Sequence, residues 1–444
     1  MMANSFSELL CGFKGEHRCL STPQGVVTLG ELMNAAYSFR SRIGLYSSSR
    51  IALCGLAPVD LLTAFLAFDG YVSAMLLLPA GVDALTTAML IAESGCTCRV
   101  DSLHGSPEML GVGDVEESFA VPGKETRWIL ATSGTTGVPK LVEHTLATLS
   151  RTVKRDRVRG AEFVWGLLYD PCRFAGLQVV LQALLSGSTL SIPKAGGVSA
   201  QIESFLSDGV NALSATPSLW RKMLMTERIG ELSLRQITVG GETADQVILD
   251  ALKFRFPEAR IVHIYASTEA GTAFAVQDCR AGFPEEWLEN DSIPVGLKVR
   301  DDGHLLIRSY KFPSGNEVAG RIDADGYLDT QDQVRIHDGR VYFLGRASGS
   351  INVGGNKVNP EEVENLIRQI DGVIDVRVFG KKSSMLGQIV AAEVVAEADI
   401  DRQELKRVLI QRCRSVLDSW QVPAFISFVQ ELTETAAGKR ERIS

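Results

Sequence analysis

The sequence predicts an α/β protein: a large N-terminal domain of doubly wound parallel sheets with a small β-rich subdomain, then a small α+β C-terminal domain. Three observations predict it. Strand-like and helix-like patterns alternate to about residue 270. After residue 290, short strand-like runs are split by Asp-Gly turns at 302–303, 325–326 and 338–339, which suggests hairpins. From about Ser348 to the C-terminus helix and strand patterns mix again, so the expected division is 1–347 and 348–444.

The first helix runs from Thr28 to Arg42, TLGELMNAAYSFRSR. Thr28 can cap it, and Glu31 three residues on completes a capping box. A strand follows from Arg50 to Cys54, then an apolar helix around Leu61 to Phe68. Asp101 to Glu125 is rich in Gly, Pro, Ser and acids and reads as a loop or linker. Trp128-Ile-Leu-Ala131 and Arg235-Gln-Ile-Thr238 read as strands, each running toward a glycine-containing turn. His304 to Arg308 and Val341 to Leu344 are the strand runs of the β-rich part. The C-terminal order is a loop, a helix over Pro360–Ile370, strands, a helix over Asp401–Ser419 and a last strand.

Composition narrows the function. At ~100–200 residues per domain, 444 residues make two to four domains. The net charge of −8 argues against a nucleic-acid or anionic-membrane binder, since either needs a basic face. It leaves ATP open, because a nest of backbone amides can hold phosphates on an acidic protein. The eight cysteines form no CxxC pair, so reduced thiols are expected. The six histidines show no HExxH or HxxxH spacing, so no zinc site is expected. Met1 to Leu10 has no basic stretch followed by an apolar run, and no apolar run reaches the ~18 residues of a spanning helix. A cytoplasmic protein without membrane or nucleic-acid partners is the expectation.

The strongest local signal is Thr132-Ser133-Gly134-Thr135-Thr136-Gly137-Val138-Pro139-Lys140, directly after an apolar strand. Glycines let backbone N–H groups turn toward an anion, hydroxyls add donors, and Lys140 adds positive charge. The run is a phosphate loop, but GxxxxGK[ST] does not fit it.

TSGTTGVPK resembles the phosphate-loop signature of the adenylate-forming family: acyl-CoA synthetases, peptide-synthetase adenylation domains and firefly luciferase. Further motifs follow in order. Val239-Gly240-Gly241-Glu242-Thr243 resembles the family's GGE segment, which lines the adenine and acyl sites. His263-Ile-Tyr265-Ala266-Ser-Thr268-Glu269 resembles NxYGxTE. By that match Tyr265 packs near the adenine, Thr268 contacts the α-phosphate and Glu269 binds Mg²⁺, a hard cation suited to a carboxylate. Asp329-Thr-Gln331-Asp332 resembles YxTGD, with Asp332 accepting the ribose hydroxyls and Gln331 where glycine is usual. Gly345 to Glu364 resembles GRxDDxIxxGGxxxxPxEIE. There Arg346 contacts ribose or phosphates, and Gly354 and Gly355 belong to a loop that swings toward the site for thiol transfer. Ser348 stands where the family usually has its hinge Asp. Thr435-Ala-Ala-Gly438-Lys439 resembles the terminal TxxGK, whose lysine reaches the substrate carboxylate and the α-phosphate.

The resemblance spans about residues 25–442 and implies a two-step reaction. A carboxylic acid attacks the α-phosphate of ATP, releasing pyrophosphate, and a thiol then takes the acyl group. Lys439, Thr268, Glu269 with Mg²⁺, and the phosphate loop would stabilise the charge gathered in the first step. CoA is the expected thiol; an acyl carrier protein receiving an acid or amino acid is the alternative, and a non-catalytic adenylate-binding protein a second. The implied acid pocket lies among Arg173, Phe174, Gly176, Gly240 and Ala266. Arg173 replaces the usual His and can pair with a polar group on the acid. Asp170 can hold an ammonium if the substrate is an amino acid. Ala266, where glycine is usual, predicts a short or slim acid.

Overall fold

The computed structural model describes residues 5–43, 49–105, 108–110, 125–132, 139–288, 293, 295–308, 320–346, 349–383 and 387–432. A six-stranded sheet runs in the order Glu108–Met109, Cys98–Val100, Arg50–Cys54, Ala74–Leu78, Arg127–Thr132, Lys140–His144. Its interior is parallel and its two edges are antiparallel. Ala74–Leu78 is buried at every position, as a strand covered on both faces must be. An eight-stranded sheet runs Gly271–Val276, Arg260–Ser267, Gln236–Gly240, Ala212–Ala215, Val164–Gly166, Thr189–Ser191, Arg18–Thr22, Gly25–Thr28. It too is parallel except at its ends.

The largest core joins apolar residues of both sheets to the helices Leu29–Ile43, Pro58–Phe68 and Phe174–Ser186. Every side chain from Leu61 to Phe68 is buried, so this helix needs no polar face. A second core holds helices Val198–Asp208, Pro217–Leu224 and Gln246–Arg255 against the eight-stranded sheet. The architecture is the doubly wound one that alternation predicts. The Thr28–Glu31 capping box forms: Glu31 N–H donates to Thr28 Oγ1 at 3.2 Å, and Thr28 N–H to the Glu31 carboxylate at 2.8 Å.

The β-rich part is a five-stranded antiparallel sheet, Phe283–Pro284, Arg340–Arg346, Leu328–His337, His304–Arg308, Gly296–Val299. It begins earlier than the change of character at residue 290, because Phe283 pairs with Val341. The Asp338-Gly339 turn takes positive φ at both residues (48° and 70°), the handedness that suits a two-residue hairpin. Gln331 also has a positive φ, 64°, within the strand Leu328–His337. A side chain there costs ~1–2 kcal/mol that glycine avoids. Gln331→Gly is therefore expected to raise unfolding stability by about 0.5–1 kcal/mol after glycine's own entropy cost, read from the midpoint of urea unfolding.

The C-terminal sheet joins Ile351–Val353, Asn356–Val358, Val373–Ser383, Gly387–Ala396 and Phe425–Phe428, packed with helices Pro360–Arg368 and Arg402–Val416 around their own core. Two expectations need correction. The segment before Pro360 is not a loop: residues 351–358 form a hairpin whose turn, Gly354-Gly355, has φ of 58° and 94°. Within the expected linker, Glu108–Met109 pairs antiparallel with Cys98–Val100, because the sheet edge has free backbone groups to offer. Residues 106–107 and 111–124 of that linker lie outside the described residues. Among the described residues no helix is long and apolar enough to cross a membrane.

Candidate active site

Parallel strands of both sheets end at one cleft of about 1570 Å³. That is the carboxyl edge, where open α/β sheets bind ligands. From the six-stranded sheet come Thr132 and Lys140, paired across the hairpin that the phosphate loop connects. Thr132 Oγ1 donates to the Lys140 carbonyl at 3.3 Å. Ser133, Gly134, Thr135, Thr136 and Gly137, like Ser348 and Lys439, lie outside the described residues.

From the eight-stranded sheet come Gly240, Gly241 and Glu242 at one strand end and Tyr265, Ala266, Thr268 and Glu269 at the next. Gly241 turns the chain with φ 82°. The Glu242 carboxylate accepts from Ser218 N–H and Oγ at 3.1 and 2.7 Å, so it is committed to the helix Pro217–Leu224. The Glu269 carboxylate faces the cleft, with Arg321 at 3.9 Å.

The β-rich sheet supplies Asp332 and Arg346, directly opposed across the hairpin. Arg346 Nε donates to Asp332 at 3.2 Å, and the Tyr265 hydroxyl donates to the other carboxylate oxygen. Burial pushes the Asp332 carboxyl up, against the opposing pull of Arg346 and Tyr265. The Tyr265 ring stacks on Phe274 and on Phe343, at 5.2 and 4.8 Å between centroids. Tyr265 is thus held by protein rings and by Asp332, a tighter commitment than packing near an adenine implies.

In the expected acid pocket, Arg173 and Phe174 line the cleft beside Tyr169, Gly240 and Ala266. Arg173 Nη1 reaches the Ala131 carbonyl at 3.4 Å, and its Nε is buried without a partner. Asp170 is occupied locally: its carboxylate accepts from Cys172 N–H at 2.8 Å. Gly176 is not among the lining residues, which corrects its assignment to the pocket. A Cβ there would run into the Asp170 carbonyl, so this glycine permits a close backbone approach. Gly354 is also away from the cleft and lines a separate cavity of about 350 Å³; neither it nor Gly355 lines the main one.

Two features escaped sequence reasoning. His144 is buried, with Nε2 at 2.9 Å from the Thr268 carbonyl and Nδ1 at 3.3 Å from Thr148 Oγ1. Burial lowers its pKa to about 4, so it is neutral and ties the far end of the strand Lys140–His144 to the Thr268–Glu269 turn. A lone His carries no spacing signal that would have found it. The other is a buried group of charges, Arg221, Asp245, Glu364 and Arg368, scattered in sequence and adjacent in space.

The doubly wound fold, with a glycine- and hydroxyl-flanked cleft at its carboxyl edge and a paired Asp332–Arg346 beside it, defines an adenylate-forming enzyme. The AMP-binding enzyme family matches residues 31–307, and the AMP-binding enzyme C-terminal domain matches 362–439. The chain belongs to the AMP-binding enzyme family. A 2-succinylbenzoate–CoA ligase of Listeria monocytogenes serotype 4b (strain F2365) is 24% identical over 357 residues, 76% of this chain and 72% of its own. Among solved structures, the anthranilate CoA ligase AuaEII in complex with anthranoyl-AMP superposes with TM-score 0.76 at 17% identity, covering 99% of this chain and 96% of that one. ATP-bound MatB from Rhodopseudomonas palustris gives 0.75 at 19%, with 99% and 97% covered.

Proposed function

We propose that the protein activates a carboxylic acid with ATP as an acyl-adenylate and passes the acyl group to CoA. The observation that carries it is the convergence of Thr132, Lys140, Thr268, Glu269, Asp332 and Arg346 on one cleft that Arg173, Phe174, Gly240 and Ala266 also line. The acid is ionised at neutral pH and needs no general base. Asp332 is a charged acceptor suited to ribose hydroxyls, and Lys140 with the 132–137 loop suits the phosphates. Glu269 is a hard oxygen ligand open to the cleft and fits Mg²⁺, which would neutralise phosphate charge. Lys439 would meet the reacting carboxylate and α-phosphate. The segment from Ser348 onward would then reorient to bring Gly354-Gly355 to the thiol.

The test is pyrophosphate release from MgATP with acetate, butyrate, hexanoate, malonate, benzoate, anthranilate and 2-succinylbenzoate, with and without CoA. Acid-dependent release stimulated by CoA is expected. ATP binding with no release for any acid would sink the proposal. If CoA fails to stimulate release, the acceptor is a carrier-protein thiol instead.

Arg173 narrows the acid. Its guanidinium has one long bond to a carbonyl, a buried unpartnered Nε, and no ion pair among the described residues. A second anionic group on the acid would complete it, as 2-succinylbenzoate, the acid named for the relative, could. A charge-assisted bond of this type contributes ~1.5–3 kcal/mol, or ~10–100-fold. Arg173→Leu is expected to lower kcat/KM for dicarboxylates by that factor. Monocarboxylates should stay within about threefold. Equal effects on both acid types would place Arg173 outside acid recognition. Ala266 and Phe174 narrow the same pocket and favour slim acids over bicyclic ones.

A further inference from the structure

The helix Pro360–Arg368 of the C-terminal sheet meets the N-terminal part of the chain through buried charges. Arg368 is buried, its side chain 6% exposed, and it reaches across to Asp245, whose side chain is 8% exposed, at 3.4 Å. Asp245 is shared: its other cationic partner is Arg221 of the helix Pro217–Leu224. Asp245 also caps the helix Gln246–Arg255, accepting from Ile248 N–H at 3.0 Å. On its own side Arg368 bonds Glu364 at 2.9 Å and Asp375 at 3.4 Å. Burial by itself raises the Asp245 carboxyl, but Arg221 and Arg368 outweigh it and hold it below the ordinary range. Two exposed pairs cross the same junction, Arg335–Glu362 at 2.7 Å and Lys222–Glu431 at 2.9 Å.

A cross-junction pair made of buried charges has an unusual energy profile. Desolvation consumes much of its Coulomb gain, yet breaking it leaves a charge uncompensated. Such a contact discriminates strongly between one orientation and any other in which it is partly made. A junction held by a buried charge pair tolerates sliding less than an apolar one. In the orientation it fixes, Gly354-Gly355 is turned away from the cleft while Glu361, Glu364 and Asn365 form part of the cleft wall. On the reorientation proposed above, that arrangement serves the ATP-consuming step rather than the thiol step.

We propose that Asp245 and Arg368 are positioning residues, a buried ionic latch that holds the C-terminal sheet in the orientation used for adenylate formation and must open for transfer to the thiol. The latch rests on the acid-activating function proposed above, but its first test needs no acid. Asp245→Asn removes the charge and keeps a side chain that caps a helix as well as Asp does. In a Cys11→Ser, Cys279→Ser background carrying Lys222→Cys and Glu431→Cys, a short bis-maleimide bridges residues 222 and 431 only while the latched orientation is populated. With ATP and Mg²⁺ present, Asp245→Asn is expected to slow cross-linking about tenfold. Unchanged cross-linking in a variant with wild-type thermal unfolding overturns the latch, whatever the enzyme's activity.

The second readout separates the half-reactions, using the acid of highest turnover in the panel. Asp245→Asn should slow pyrophosphate release about tenfold and leave thioester formation from the pre-made acyl-adenylate equal or faster. Arg368→Lys should do the same more weakly, since a point charge keeps the attraction but not the fork. Equal loss in both half-reactions would mean the group is only a structural support, and the latch fails. Absence of pyrophosphate release in the wild type refutes the acid-activating function and leaves the cross-linking result standing by itself.

Discussion

Lys439→Ala is expected to lower acid-dependent pyrophosphate release by ~10²–10³-fold. Thioester formation from a pre-made acyl-adenylate should survive. When a carboxylate attacks the α-phosphate, two anions are brought together and negative charge gathers on the phosphate oxygens. A positioned ammonium is worth most at that moment and little once pyrophosphate has left. Lys439 lies outside the described residues, but the C-terminal domain family matches through residue 439. The split between half-reactions is the decisive readout. A variant slowed equally in both would show that Lys439 supports the fold or the thiol step instead.

Asp332→Ala is expected to raise the KM for ATP by ~10–100-fold and to lower unfolding stability by about 1–3 kcal/mol. Two effects combine. The ribose loses an acceptor with two oxygens, and the protein loses the partner of Tyr265 and Arg346. Arg346 is 44% exposed and can turn to solvent, so its loss is screened. The Tyr265 hydroxyl is more deeply placed and keeps the cost of an unmade bond. Asp332→Asn separates the two effects: the amide can still accept from Tyr265, restoring most stability, while the weaker acceptor keeps ATP affinity low. A KM for ATP near wild type in both variants would move nucleotide recognition away from Asp332.

The site was legible wherever its chemistry is written in consecutive residues. The run 132–140, the glycines at 240–241 and the segment 265–269 each end a strand, and a strand end fixes where its next few residues stand. The structure accordingly brings Thr132, Lys140, Gly240, Gly241 and residues 265–269 to one cleft. Gly176 was misplaced because glycine has two uses, lining a pocket and letting two backbones touch; only the position of the Asp170 carbonyl tells them apart. Gly354-Gly355 read as a loop because a two-residue turn and a long loop look alike until strand pairing at 351–358 is known.

The sequence by itself determined the class of fold, the order of its parts, the capping box at Thr28 and Glu31, and the turn chemistry at 338–339. All of these follow from interactions between residues near one another in the chain, where spacing is geometry. Tertiary structure alone decided the neutral His144 beneath Thr268, the stacking that commits Tyr265, and the meeting of Arg368 with Asp245 across 123 positions. Burial sets the charge state or partner in each case, and burial depends on which distant segments are packed together.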